Sequence, residues 1–122
     1  INNIFVYGSL KEYGTRSSIL SGTEYLGEDE TGGFLLYHLG PFPAAVKSDN
    51  IPKGYTVKGQ VYTNIDNDLI QTLDWIEGHP NFYYRDICTT INFGLAWIYL
   101  YPMELVSNRV LIVDGNYKLK ND

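Results

Sequence analysis

Short apolar runs separated by glycine and polar turns predict a domain made mainly of β-strands. Residues 4–7 form one such run, which ends at Gly8 and indicates a buried strand. Residues 55–62 place their odd-numbered and even-numbered positions on opposite faces, the pattern of a half-buried strand. Similar signals predict strands at residues 24–27, 34–37, 84–93, 96–100 and 110–113.

One amphipathic helix interrupts the strands. Apolar residues recur every three or four positions from about residue 68 to residue 77. Asp66 and Asn67 can cap its start, and Gly78 supplies the C-terminal stop. One or two further helical turns are predicted within residues 15–21. These elements predict an α+β domain with a mainly antiparallel, barrel-like β-sheet and a few short helices.

The composition is typical of one folded domain. Of the 122 residues, 44% are hydrophobic and 19% are charged, which excludes a disordered chain. A domain usually holds roughly 100–200 residues. We therefore expect a single domain over residues 1–117, followed by a frayed tail at residues 118–122.

Charge and cysteine content limit which partners the protein is expected to bind and in which cellular compartment it is expected to lie. Fourteen acidic residues against nine basic ones give a net charge of −5, which argues against nucleic acid as a partner. No apolar run approaches the roughly 18 residues that span a membrane. The first ten residues lack the basic region and cleavage site of a signal peptide. With Cys88 as the single cysteine, we expect a cytoplasmic protein without a disulfide framework.

Glu77 is the first candidate for chemistry. It lies at the edge of the apolar face of the predicted helix and in its last turn, where the helix dipole is negative. Both surroundings favour the neutral carboxyl and would raise its pKa toward the working pH, as general acid–base catalysis requires. Alternatively, Glu77 points to solvent or pairs with Arg85. The helical projection places Asp74 further from the apolar face.

The second candidate is the turn that follows the first strand. A strand ending in Gly8 can bend sharply and expose the N–H groups of successive residues, which together bind a carboxylate or an oxyanion. The alternative is a plain turn with glycine at positive φ. The glycine spacing and the lysine of a phosphate-binding loop are missing.

A third feature is the segment between the helix and the next strand. Tyr83, Tyr84 and Arg85 could line a pocket beside Glu77, or they could pack on the sheet with Arg85 in a structural ion pair. The two histidines are far apart and have no carboxylate at metal-ligand spacing, so we expect neither a metal nor a cofactor. Cys88 has the pattern of a small core residue rather than a nucleophile.

Several short motifs, in order, resemble the gamma-glutamylcyclotransferase-like family, and most closely its gamma-glutamylamine cyclotransferase subgroup. The opening loop Tyr-Gly-Ser-Leu stands at residues 7–10, and the Leu-Asp-x-x-Glu-Gly helix end stands at residues 73–78. Further matches are the Phe-Pro turn at residues 40–44, Gly-x-Val-Tyr at 59–62, Tyr-x-Arg at 83–85, Ala-Trp-x-Tyr at 96–99 and a closing segment at 113–117. The resemblance covers about residues 4–117. Gln60 replaces a frequent Glu, and Asn116-Tyr117 replaces Asp-Trp.

The resemblance implies an antiparallel barrel with helices packed on it and a pocket between the opening loop and the helix end. It implies that Glu77 is the acid–base residue. It also implies that the opening loop binds the substrate, through the four residues Tyr7, Gly8, Ser9 and Leu10. The residues expected in the pocket wall or behind it are Phe42, Pro43, Tyr83, Arg85 and Tyr99.

The implied reaction is intramolecular attack of an α-amino group on a γ-glutamyl amide, which releases pyroglutamate and a free amine. The partner would then be a small γ-glutamyl molecule, bound without metal or cofactor. Two alternatives stay open: a non-catalytic binding or interaction domain with the same pocket, and an enzyme that acts on a different acyl amide. The leaving amine and the oligomeric state are not readable from the sequence.

Overall fold

The computed structural model describes residues 1–7, 20–106 and 108–118. The predicted turn residues Gly8, Ser9 and Leu10, most of the predicted helical segment 15–21, and the end of the tail lie outside this range. The elements in chain order are β1 (Ile4–Val6), β2 (Glu24–Thr31), β3 (Phe34–Leu39), β4 (Phe42–Lys47), β5 (Val57–Thr63), α1 (Asn67–Glu77), β6 (Tyr84–Thr90), β7 (Gly94–Leu100) and a 3-10 helix (Met103–Val106).

Five of the strands form a closed barrel in the order β1-β5-β2-β6-β7. The neighbours pair antiparallel, except that β7 closes on β1 through a parallel bridge between Ile4 and Trp97. Strands β3 and β4 form a separate antiparallel hairpin. This architecture confirms the predicted α+β class with a barrel-like, mainly antiparallel sheet.

Strand β5 shows why the barrel can close tightly. Its odd-numbered residues Val57, Gly59 and Val61 are buried, as the alternating pattern predicts. A Cβ added to Gly59 would lie 2.3 Å from the backbone oxygen of Val6 and 2.8 Å from the ring of Phe5. Only glycine permits this approach between β5 and β1.

The hydrophobic core has two parts, one on each face of β1. Phe5 belongs to the cluster that contains buried residues of β5, β6 and β7. Ile4 and Val6 belong to a second cluster, which also contains Ile70 and Leu73 of α1 and residues of the β3–β4 hairpin. Burial on both faces explains why β1 is a continuous apolar run.

Strand β6 meets β2 in register only at Thr90, opposite Thr31. Nearer its start, two backbone N–H groups of β6 donate to side chains instead. Arg85 donates to Nδ1 of His79 at 2.9 Å, and Ile87 donates to the carboxylate of Asp86 at 2.7 Å. The hydroxyl of Thr31 donates to the backbone carbonyl of Thr89 at 2.9 Å.

Two sequence-based assignments are wrong. Residues 110–113 do not form a strand: the chain makes one bridge, between Leu111 and Tyr37, and then turns. Apolar side chains were the signal there, yet Val113 is 80% exposed because it lies in that turn. The predicted Phe-Pro turn is confined to residues 40–41, since Phe42 and Pro43 already pair within β4.

The segment after the bridge packs on the start of β5. Gly115 has φ +69°, and a Cβ there would lie 1.9 Å from the backbone oxygen of Thr56. Its carbonyl accepts the N–H of Lys58 at 2.8 Å. Tyr117 is buried, and its hydroxyl donates to the carbonyl of Pro41 at 2.9 Å. Tyr117 therefore anchors this segment to the turn between β3 and β4.

Within the described ranges, no helix is both long enough and apolar enough to cross a membrane.

Candidate active site

Glu77 lies at the C-terminal end of helix α1. The carboxylate of Asp66 caps the start by accepting the N–H of Leu69 at 2.8 Å. Gly78 ends the helix in the left-handed conformation, at φ +74°. Glu77 is thus the last helical residue, and it is partly buried. The predicted helix, its cap and its stop are confirmed.

The charge of Glu77 acts on two tyrosines from other elements. Burial raises the pKa of the Tyr7 hydroxyl well above its ordinary value, and neighbouring Tyr83 and the charge of Glu77 add to this effect. Burial also raises the pKa of Tyr99 most, followed by its hydrogen bond to Asp74, with a further contribution from Glu77. The charge of Glu77 therefore acts on residues at the end of β1 and on β7.

Tyr7 is a fixed anchor at the base of the predicted substrate loop. Its side chain is buried, and its hydroxyl donates to the backbone carbonyl of Tyr99 and accepts the N–H of Ala45 at 3.2 Å. Both hydrogen bonds hold the residue that directly precedes Gly8. The roles predicted for Gly8, Ser9 and Leu10 concern positions outside the described residues and stay predictions.

Asp74, Arg85 and Tyr99 form a hydrogen-bonded group beside the helix end. Arg85 donates from Nε to Oδ1 of Asp74 at 2.8 Å and from Nη2 to Oδ2 at 3.1 Å. The hydroxyl of Tyr99 donates to Oδ1 of Asp74 at 2.7 Å. The Arg85 guanidinium also lies 4.1 Å from the centre of the Trp97 ring. One carboxylate thus joins α1 to both β6 and β7.

This group also sets the protonation of Asp74. Burial raises the pKa of Asp74, but the hydrogen bonds from Arg85 and Tyr99 and the positive charge of Arg85 outweigh it. The net result is a pKa below the usual value for aspartate. Asp74 is therefore held as a carboxylate, and a group that keeps its negative charge is poorly suited to exchange protons near neutral pH.

The sequence reasoning missed Asp74. The helical projection places Asp74 away from the apolar face, and the sequence suggests Glu77 as the partner of Arg85. In the structure, Arg85 pairs with Asp74. The error arose because Arg85 of β6 and Tyr99 of β7 both meet the helix at Asp74, and the spacing of apolar residues does not reveal these contacts. The usable signal was the Leu-Asp-x-x-Glu-Gly motif, which places an acidic residue one turn before Glu77.

Two of the predicted wall residues, Tyr83 and Pro43, contact each other directly. The hydroxyl of Tyr83 donates to the carbonyl of Pro43 at 2.8 Å, so these two buried residues join the β4 hairpin to the helix end. Tyr83 also raises the pKa of Tyr7, which places it near the anchor of the loop. Phe42 is the first residue of β4, directly after the hairpin turn, and is 50% exposed.

Three further observations concern the remaining histidine, cysteine and acidic side chains. Among the described residues, no group of His, Cys, Asp and Glu side chains could hold a metal ion. Cys88 is 3% exposed, and burial raises the pKa of its thiol to about 11, which makes it a poor nucleophile. His79 uses Nδ1 to accept the N–H of Arg85.

Comparison with known proteins agrees with the fold and the motifs. The family model described as gamma-glutamyl cyclotransferase, AIG2-like, matches residues 4–119. The gamma-glutamylcyclotransferase family protein YtfP of Escherichia coli (strain K12) is 37% identical over 114 residues, which span 93% of this chain and 94% of that protein.

Solved structures show the same fold. The solution structure of Escherichia coli ytfP matches with a TM-score of 0.72 and 31% identity, over 98% of this chain and 99% of that one. An AIG2-like protein from Mus musculus matches with a TM-score of 0.73 over 96% of this chain and 88% of that one, and at 23% identity it shows the fold alone. The resemblance found in the sequence motifs is thereby confirmed: the chain belongs to the gamma-glutamyl cyclotransferase, AIG2-like family.

Proposed function

We propose that this protein is a cyclotransferase that acts on a γ-glutamyl amine or amide and releases pyroglutamate. The observation that carries the proposal is the position of Glu77. It is a partly buried carboxylate at the end of α1, and its charge reaches Tyr7, the anchor of the candidate substrate loop. Asp74, the other carboxylate at this helix end, is held by Arg85 and Tyr99.

In the proposed reaction, Glu77 first takes a proton from the substrate's α-ammonium group. The freed amine attacks the γ-carbonyl carbon of the same molecule and forms the C–N bond of a five-membered lactam. The carbonyl oxygen is negative in the tetrahedral intermediate. Protonated Glu77 then gives its proton to the leaving nitrogen as the original amide bond breaks. The attacking nitrogen gives up its second extra proton to the released amine, which departs as an ammonium ion, and the lactam is left neutral. One proton-carrying carboxyl therefore serves both transfers.

The substrate loop is assigned the negative groups of the substrate. The backbone N–H groups of Gly8, Ser9 and Leu10 would bind either the oxyanion or the α-carboxylate, and the buried hydroxyl of Tyr7 fixes the start of this loop. Because both reacting groups belong to one molecule, the main gain comes from holding its bent conformer. A rigid barrel with Tyr7 and Tyr83 locked by hydrogen bonds suits that task.

The test is release of pyroglutamate from a panel of γ-glutamyl compounds that includes γ-glutamylamines and γ-glutamyl amino acids. Glu77→Gln keeps the shape of the side chain but cannot exchange protons, so we expect a fall of about 10²–10⁴-fold in kcat. Glu24→Gln, at an exposed position in β2, is the matched control and should keep the parent rate.

Three results would contradict the proposal. Turnover by Glu77→Gln at the parent rate would reject the assignment of Glu77. A parent protein that binds γ-glutamyl compounds without releasing pyroglutamate would favour the binding-domain alternative, and turnover confined to another acyl amide would favour the second enzyme alternative. The panel also tests the gamma-glutamylamine specificity that we propose from the sequence motifs. We further propose a cytoplasmic location, on the evidence of the single buried cysteine.

A further inference from the structure

We propose that Asp74 and Arg85 form a positioning pair for Glu77: they fix the helix end against β7 and cancel each other's charge beside its carboxylate. The inference rests on the proposed function of Glu77 and adds two residues that do not themselves react. Asp74 precedes Glu77 by three positions on α1, so the two side chains are neighbours on the helix surface, with Cβ atoms about 5–6 Å apart.

The positioning role follows from a continuous set of hydrogen bonds. The carboxylate of Asp74 accepts the hydroxyl of Tyr99, the backbone carbonyl of Tyr99 accepts the hydroxyl of Tyr7, and that hydroxyl accepts the N–H of Ala45. This path joins the helix that carries Glu77 to the base of the substrate loop. It can therefore set the distance between the carboxylate of Glu77 and the bound substrate.

The charge role follows from the balance of the pair. An unpaired carboxylate at Asp74 would repel the charge of Glu77 and raise its pKa, whereas an unpaired Arg85 would lower it. The guanidinium fork joins both charges at 2.8 and 3.1 Å, so each largely cancels the other's effect on Glu77. The side chains are only 20% and 19% exposed, so water screens them incompletely.

Other groups around the helix end are the same in every variant considered below. Among the described residues, His79 of the turn acts on Asp74 and Tyr99 of β7 acts on Arg85. The charge of Glu77 acts on Tyr99 and on Tyr7 at the end of β1. Because none of them is altered, differences between variants report the charges of Asp74 and Arg85.

The experiment is a carboxyl ¹³C NMR titration of Glu77 in the whole protein, with the signal assigned by its loss in Glu77→Gln. Asp74→Asn should lower the apparent pKa of Glu77 and Arg85→Gln should raise it, each by about 0.5–1.5 pH units for a unit charge one helical turn away. The double variant removes both charges and should return the titration close to that of the parent.

A matched control comes from the next residue of β6. Asp86 pairs with Lys47 at the surface, with side chains 32% and 58% exposed. Asp86→Asn removes one charge without touching the helix end, so the Glu77 titration should stay within about 0.2 pH units of the parent. Asp74→Asn decides the question even if Arg85→Gln does not fold, because asparagine can still accept from Tyr99.

Activity gives a second reading. The acidic limb of the pH profile of kcat/KM should move with Glu77, down in Asp74→Asn and up in Arg85→Gln. Equal shifts in both single variants, or no shift beyond that of Asp86→Asn, would overturn the proposal, because a purely structural pair predicts lost stability without opposite titration shifts. A parent that releases no pyroglutamate would reject the proposed function instead, while the NMR titration would still decide the charge balance.

Discussion

Replacing Arg85 by lysine keeps the positive charge but removes the planar fork, and we expect it to destabilise the protein. Lysine can make one of the two hydrogen bonds that the guanidinium gives to Asp74. A net hydrogen bond to a charged group contributes about 1.5–3 kcal/mol, and partial exposure favours the lower value. Weaker stacking 4.1 Å above the Trp97 ring adds up to about 0.5 kcal/mol. The expected loss is therefore about 2 kcal/mol.

Urea and thermal unfolding of Arg85→Lys measure this loss directly. For a chain of this size, about 2 kcal/mol lowers Tm by roughly 6–10 °C. The matched control is Lys47→Arg, which exchanges the same two cations in the surface pair with Asp86 and should change stability by less than about 0.5 kcal/mol. If Arg85→Lys unfolds at the same urea concentration as this control, the fork is not what holds the helix end to β6.

Three further predictions concern unfolding at acidic pH, two glycine substitutions and the reactivity of Cys88. Because the pKa of Asp74 is lowered, its pairing stabilises the protein fully above about pH 4, and this stability is lost as the pH falls through the folded pKa. Urea unfolding between about pH 2.5 and 5 should therefore show a smaller loss of unfolding free energy on acidification in Asp74→Asn than in the parent. Gly115→Ala should lower the free energy of unfolding by more than about 2 kcal/mol, because its Cβ would meet the Thr56 carbonyl at 1.9 Å. Gly54 is also at positive φ but has no atom within 4 Å of an added Cβ, so Gly54→Ala should lower it by only about 1 kcal/mol. Cys88, with a thiol pKa of about 11, should react with iodoacetamide at pH 8 about a hundredfold more slowly in the native protein than in urea, and similar rates in both would place the thiol at the surface.

Features encoded by neighbouring residues could be predicted, whereas features that depend on chain topology could not. Helix α1 was predicted because its cap, its apolar spacing and its glycine stop all lie within one short segment. The strand predicted at residues 110–113 was wrong because apolar composition does not specify a pairing partner. Glu77 was found as a candidate from its helical position. Its neighbours Tyr7 and Tyr99 come from distant strands, and only the closed barrel brings them to the helix end.

The pairing of Arg85 illustrates the same limit at shorter range. Asp74 lies only eleven residues earlier, but a helix end, a turn and a strand start intervene. Their relative orientation decides which of two acidic residues the guanidinium meets. Periodicity places each residue on a face of its own element and is silent about the angle between elements. Motifs that span the turn carry more information than either element alone.

The side chains that cap β6 have a consequence for how this protein behaves at high concentration. A strand with unsatisfied amides offers a template on which a second molecule can add its own strand, and this is a common start of aggregation. Here the imidazole of His79 and the carboxylate of Asp86 already accept the amides of Arg85 and Ile87. An incoming strand would have to displace both, so the incompletely paired seam of the barrel is protected against intermolecular sheet growth. The imidazole offers this protection only while Nδ1 is unprotonated, since an imidazolium can only donate.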